Sequence, residues 1–160
     1  MQHQAIDASF ERGRRRAASN GNHSKPGGIA IVDSVPPHVS RAANPRHILI
    51  IEDNLDSVHT LTLLLRDMGH LVDYAINGYV GLDIARRMQP EFIFLDIGLP
   101  GMNGFEVCKR VKADPALANT KVVIITGYTD DLHRERSRLA GCDMHLVKPV
   151  PIRVIEALLE

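Results

Sequence analysis

The chain has 160 residues, 44% apolar and 24% charged, which suffices for one packed domain and is ordinary for a globular protein. Formal net charge is zero, but residues 1–46 carry seven Lys/Arg against three acids (+4) and residues 47–160 carry 12 against 16 (−4); a mildly acidic patterned part argues against nucleic acid as its ligand. No apolar stretch is long enough to cross a membrane, no secretory h-region opens the chain, and the two cysteines, Cys108 and Cys142, lack CxxC spacing, so the sequence reads as cytoplasmic with free thiols.

Residues 1–46 are rich in Gly, Pro, Ser, Asn and Arg. They hold one short apolar run, Ile29-Ala30-Ile31-Val32, and read as a polar, basic, disordered tail, because so little apolar area cannot offset the entropy of ordering. The triplet Arg14-Arg15-Arg16 reads as a solvated basic stretch.

From His47 the pattern changes. Ile48-Leu49-Ile50-Ile51 predicts a strand over 47–52 that runs into two acids, Glu52 and Asp53. A helix over 55–68 follows, begun by Asp53-Asn54 and stopped by Gly69. Its stripe is Val58, Leu61, Leu65 and Met68, with Leu55 and Leu64 beside it. A strand over 71–75 leads to a helix over 78–88 carrying Val80, Leu82, Ile84, Ala85 and Met88. The strand over 91–96 contains Phe92-Ile93-Phe94-Leu95 and closes on Asp96, at the start of the turn Asp96-Ile97-Gly98-Leu99-Pro100-Gly101. A helix over 104–112 carries Phe105, Val107, Cys108 and Val111. The strand over 121–126 ends on Thr126-Gly127. A charged helix over 130–140 has only Leu132, Leu139 and Ala140 as apolar residues, and the strand over 143–148 ends on Lys148-Pro149. The last helix, 151–159, carries Ile152, Ile155, Leu158 and Leu159.

Five strands alternating with five helices predict an α/β fold, an open, doubly wound, five-stranded parallel sheet. Right-handed crossovers favour the order 2-1-3-4-5, with ligands outside the carboxyl ends at the switch point between the first and third strands. Glu52, Asp53 and Asp96 end those two strands.

Three acids converging on one site repel one another unless something neutralises them. A divalent cation and Lys148 are the economical answers. All-oxygen ligands favour Mg²⁺ or Mn²⁺ over zinc. Such a cation keeps waters and shares phosphate oxygens, which points to phosphoryl chemistry with Asp96 as nucleophile. Lys148 would stabilise charge on the transferring oxygens, and the Thr126 hydroxyl could hydrogen-bond one of them. Taken singly, Thr126 reads as a turn cap and Lys148 as a solvated residue. Their order along the chain, each at the end of its own strand, is the informative feature.

His47 to Glu160 resembles the receiver domain of bacterial two-component response regulators, the CheY-like family with its flavodoxin-like fold. Ile51-Glu52-Asp53-Asn54 is similar to its acidic-pair motif. Phe94 through Gly104 is similar to its phosphoacceptor loop, Ile125-Thr126-Gly127 to its switch-hydroxyl motif, and His145-Leu146-Val147-Lys148-Pro149 to its lysine motif. The resemblance implies that Asp96 accepts a phosphoryl group from a phosphohistidine on a histidine kinase or histidine phosphotransfer protein. It implies metal ligands in Asp53, Asp96, the Gly98 backbone carbonyl and, through water, Glu52. It also implies a cis Lys148–Pro149 peptide. A downstream protein partner would read the face of the fourth helix, fifth strand and fifth helix. The charged fourth helix fits exchangeable contacts, hence a monomer or weak dimer. The chain closes inside the last helix, so the reading includes no output domain, no nucleic-acid ligand and no membrane.

Two departures stand out. The family places Tyr or Phe three residues before the lysine, where this chain has His145, as in receivers attached to hybrid histidine kinases; His145 is the candidate switch residue with Thr126. Asn103 replaces the usual Asp before Gly104 and reads as a turn substitution. Gly98 and Tyr128 occupy the positions that flank the phosphoryl group in the family and are candidates for setting its lifetime. A flavodoxin-like cofactor binder would need a phosphate loop where Glu52-Asp53-Asn54-Leu55-Asp56 stands. A haloacid-dehalogenase-type phosphatase would need a second Asp where Gly98 stands. The remaining alternative is a non-phosphorylated pseudo-receiver acting as a protein-binding scaffold, although none of the signature residues is missing.

Overall fold

Strict alternation of buried side chains along three Val/Ile/Leu/Phe-rich strands builds two core layers, one on each face of a single sheet. A computed structural model describes residues 43–160. The arginine triplet, the run Ile29-Ala30-Ile31-Val32 and all but residues 43–46 of the tail reading lie outside those residues. The elements are β1 (His47–Ile51), α1 (Leu55–Asp67), β2 (Leu71–Ala75), α2 (Gly78–Met88), β3 (Phe92–Leu95), α3 (Gly104–Ala113), β4 (Lys121–Thr126), α4 (Asp131–Leu139), β5 (Met144–Val147) and α5 (Ile152–Leu159). The strands are all parallel, in the order β2-β1-β3-β4-β5. That is the predicted topology. A 3₁₀ turn at Pro115–Leu117, unforeseen from the sequence, joins α3 to β4 and buries Leu117.

One layer sets Leu49, Ile51, Ile93, Leu95, Val122 and Ile124 against Leu82 and Ala85 of α2 and Val107, Cys108 and Val111 of α3. The other sets Ile48, Ile50, Phe92, Phe94, Val123 and Ile125 against Val58, Leu65 and Met68 of α1 and Ile155 and Leu159 of α5. Each fully buried Ile, Leu or Phe contributes roughly 1.5–3 kcal/mol relative to exposure. Most predicted stripe residues thus lie in the core or pack partly buried against it. Leu55, Val80, Met88, Leu132, Leu139 and Ile152 are exposed, and they lie at or near helix ends.

Four of the five α-helices begin on side-chain caps: Asn54, Asn77, Asn103 and Asp130 each accept a hydrogen bond from the backbone N–H three residues on, while α5 follows Pro151 without one. Asn103 therefore does the capping work of the Asp it replaces. At the opposite end of the sheet Arg46 is tied in by its ion pair with Glu91 (2.8 Å) and by bonds to His70 and the carbonyls of Leu159 and Glu160.

Candidate functional site

Parallel register delivers the acids to one place. Ile51 pairs with Leu95, so the residues that leave β1 and β3 next are Glu52 and Asp96. The backbone continues the ladder past the strands: Asp96 N–H donates to the Ile51 carbonyl (2.9 Å) and Glu52 N–H to that of Ala75 (3.0 Å). Across the sheet, Lys148 N–H donates to the Thr126 carbonyl (2.8 Å), which holds the ends of β4 and β5 together. Carboxylate oxygens of Glu52, Asp53 and Asp96 lie within 4.8 Å of one another.

Lys148 is the counter-charge. Its Nζ donates to Glu52 Oε2 (2.5 Å) and Asp96 Oδ1 (3.1 Å). Burial works against the ammonium form, but the Glu52 hydrogen bond and the charge and hydrogen bond of Asp96 outweigh it, and the group is held above the ordinary lysine range. Asp96 Oδ2 accepts from the Gly98 N–H (2.6 Å), and Glu52 Oε1 from the Asn54 N–H (3.2 Å). The Lys148–Pro149 peptide is cis, as the resemblance implies. Three clustered carboxylates and no imidazole or thiolate among them form a donor set that fits a hard, oxygen-seeking cation. Glu52 is largely occupied by Lys148, in keeping with an indirect role toward such an ion.

Thr126 is fully buried at the end of β4, and its Oγ1 accepts from the Tyr128 N–H (3.3 Å). His145 lies on β5 opposite Ile124. Its Nδ1 is 2.7 Å from Ser137 Oγ, on α4. Tyr128 does not lean freely over the acids: its ring stacks flat on His133, with centroids 4.2 Å apart and planes 5° from parallel. The structure thus brings Glu52, Asp53, Asp96 and Lys148 together, sets Thr126 at the neighbouring strand end, and turns Tyr128 and His145 toward α4. Ser137 and His133 were not singled out from the sequence. The signal available for Ser137 was a small polar residue one position off the apolar spacing of a charged helix.

Gly104 has a structural task at the site. A Cβ there would overlap the carbonyl oxygen of Asp96 and lie 2.9 Å from Ile97 Cα, so α3 approaches the Asp96 turn backbone to backbone. Cys108 and Cys142 are free thiols, as expected. Among the described residues no helix is long and apolar enough to cross a membrane.

Known proteins agree with this geometry. The sequence profile of the response regulator receiver domain matches residues 48–160. The chain is 39% identical over 111 residues to the transcriptional regulatory protein AfsQ1 of Streptomyces coelicolor, a match covering 69% of this chain and 48% of that protein, so the chain spans about half of AfsQ1. It is 33% identical over 115 residues to the polar-differentiation response regulator DivK of Brucella anthropi, covering 71% of this chain and 94% of DivK. Among solved structures, the signal receiver domain of a signal transduction histidine kinase from Syntrophus aciditrophicus superimposes with a TM-score of 0.67 at 26% identity, covering 71% of this chain and 86% of that one. A CheY-like receiver domain protein from Methanospirillum hungatei does so with a TM-score of 0.67 at 25% identity, covering 72% and 91%. With the sheet order, the acidic cluster and the strand-end lysine in place, this chain belongs to the receiver-domain family of two-component response regulators.

Proposed function

We propose that Asp96 is a phosphoacceptor and that its phosphorylation alters a surface read by another protein. The observation that carries this reading is the Glu52–Asp53–Asp96 cluster with Lys148 bonded to two of its three acids. In the transfer, an Asp96 carboxylate oxygen forms a bond to phosphorus while the P–N bond of a partner phosphohistidine breaks, its electron pair returning to the imidazole nitrogen. Asp53, Asp96, the Gly98 carbonyl and, through water, Glu52 would hold Mg²⁺ or Mn²⁺, which supplies positive charge at the phosphoryl oxygens. Lys148 exchanges its Asp96 contact for a phosphoryl oxygen, and the Thr126 hydroxyl turns to another. The donor is a histidine kinase or histidine phosphotransfer protein, and the receiving partner reads the face of α4, β5 and α5. The charged helix α4 on this face fits exchangeable contacts, which supports a monomer or weak dimer. The chain's free thiols support a cytoplasmic location.

Incubation with acetyl phosphate and Mg²⁺ should add one phosphoryl group by intact mass. Asp96→Asn should add none. An unmodified wild-type mass would overturn the phosphoacceptor reading in favour of a pseudo-receiver that serves as a scaffold.

Gly98 and Tyr128 set how long the aspartyl-phosphate survives. With no side chain at Gly98, water reaches one side of the phosphoryl group; Gly98→Asn should therefore slow dephosphorylation, and Tyr128→Ala should alter it, in a time course of phosphoprotein decay. Unchanged rates in both variants would remove the two residues from this role.

A further inference from the structure

Helix α4 is fastened to the sheet by polar contacts and stacking. Ser137 is its sole buried residue, while Leu132 and Leu139 are 58% and 65% exposed. Two fastenings start at different strands and meet at His133. The first leaves β4: the Thr126 hydroxyl accepts from the Tyr128 N–H, and the Tyr128 ring stacks on the His133 ring. That imidazole is fixed in turn by Asp130, whose carboxylate oxygens lie 2.7 and 2.8 Å from His133 Nδ1 while also capping α4 through the His133 N–H (3.1 Å). The second leaves β5: His145 Nδ1 meets Ser137 Oγ, and Ser137 Oγ donates to the His133 carbonyl (3.0 Å).

Ser137 Oγ lies between the His133 carbonyl and His145 Nδ1, and its one hydroxyl proton serves one of them; when it serves the carbonyl, Nδ1 donates to Oγ. A phenyl ring at position 145 could not make this contact. His145 is bonded to α4 on one side, and its Nε2 is buried without a hydrogen-bond partner among the described residues. A strut bonded in this way is ill suited to swing. Tyr128 differs: the residue is 49% exposed, its ring is held on one face by stacking, and its own N–H rests on the hydroxyl that the site would recruit.

We propose that in this chain Tyr128 is a side chain that moves when Asp96 is phosphorylated, that His133 is the surface it rests on, and that His145 is a fixed strut binding β5 to α4 through Ser137. The proposal rests on the phosphoacceptor reading of Asp96. When Thr126 turns its hydroxyl to a phosphoryl oxygen, the Tyr128 N–H loses its acceptor, the β4–α4 turn shifts, and the Tyr128–His133 stack opens. The result is a newly exposed imidazole and phenol at the start of α4, a changed surface of small area that suits an exchangeable partner.

The chain has no tryptophan and three tyrosines. The other two, Tyr74 and Tyr79, are exposed on β2 and α2. In a Tyr74→Phe, Tyr79→Phe background, Tyr128 is the only phenol, and its quenching by acrylamide reads its accessibility. Adding beryllium fluoride and Mg²⁺, a phosphoryl mimic, should raise that quenching. His133→Ala should show high quenching without the mimic and no further rise. His133→Phe, which restores a stacking surface, should recover both the low resting value and the rise. Bound fluoroberyllate is monitored independently by ¹⁹F NMR. A bound signal with unchanged Tyr128 quenching overturns the clamp alone. Absence of a bound signal overturns the phosphoacceptor reading and the clamp with it.

Discussion

Lys148→Ala should lower the rate of phosphorylation by acetyl phosphate by about 10²–10³, the usual loss when one fixed charge-stabilising group is removed from a reacting site. It should also make the fold's stability depend on Mg²⁺. In the native chain Lys148 Nζ contacts both Glu52 and Asp96, and it is the cation that lets these acids coexist with Asp53. Without it, three carboxylates share a small space with only solvent and metal to separate them. Melting temperature as a function of Mg²⁺ should therefore rise more steeply in the variant than in the wild type. Equal slopes would mean that the carboxylates do not depend on Lys148 for their coexistence. The pH dependence has a definite sign. A lysine held above its ordinary value stabilises the fold in full at neutral pH, and that contribution disappears only as the pH climbs through the raised value, above about pH 10. The wild-type and Lys148→Ala stability curves should thus converge at alkaline pH and stay apart at neutrality.

Gly104→Ala should destabilise the fold by about 3 kcal/mol, at the upper end for overpacking, because the atoms in the way are backbone and cannot rotate aside. The carbonyl of Asp96 and the Cα of Ile97 must retreat, and they carry the Asp96 side chain with them. A displacement of about 1 Å in a reacting group costs on the order of 10² in rate. Urea denaturation measures the first effect, and the acetyl phosphate reaction of the surviving folded fraction measures the second. Gly127→Ala is the control for stability, since nothing lies within 4 Å of a Cβ at that position. A Gly104→Ala variant as stable and reactive as the wild type would show that the Asp96 turn can move without cost.

The fold and the heart of the site were legible from residue pattern because both follow from periodicity. Runs such as Ile48-Leu49-Ile50-Ile51 and Val122-Val123-Ile124-Ile125 are apolar at every position, which suits only a strand covered on both faces. Once the strands are parallel, the residues that leave their carboxyl ends share one rim of the sheet. Glu52, Asp53, Asp96 and Lys148 thus meet, with Thr126 at the neighbouring strand end, without any knowledge of helix packing. The N-cap at Asn54 is equally local.

What lies between β4, β5 and α4 was not legible, and the reason is physical. Helix α4 has almost no apolar stripe, so periodicity carries little information about which of its faces meets the sheet. The outcome depends on single contacts between neighbouring elements: Ser137 of α4 with His145 of β5, and His133 of α4 with Tyr128 of the β4–α4 turn. Residue types at those positions permit many pairings, and a bond of 2.7 Å or a ring offset of 4.2 Å is chosen by packing of the whole domain. Asp96 and its companions were written in strand order along the chain. The direction in which Tyr128 and His145 face, and so the route from the site to its surface, emerged only when the helices were laid against the sheet.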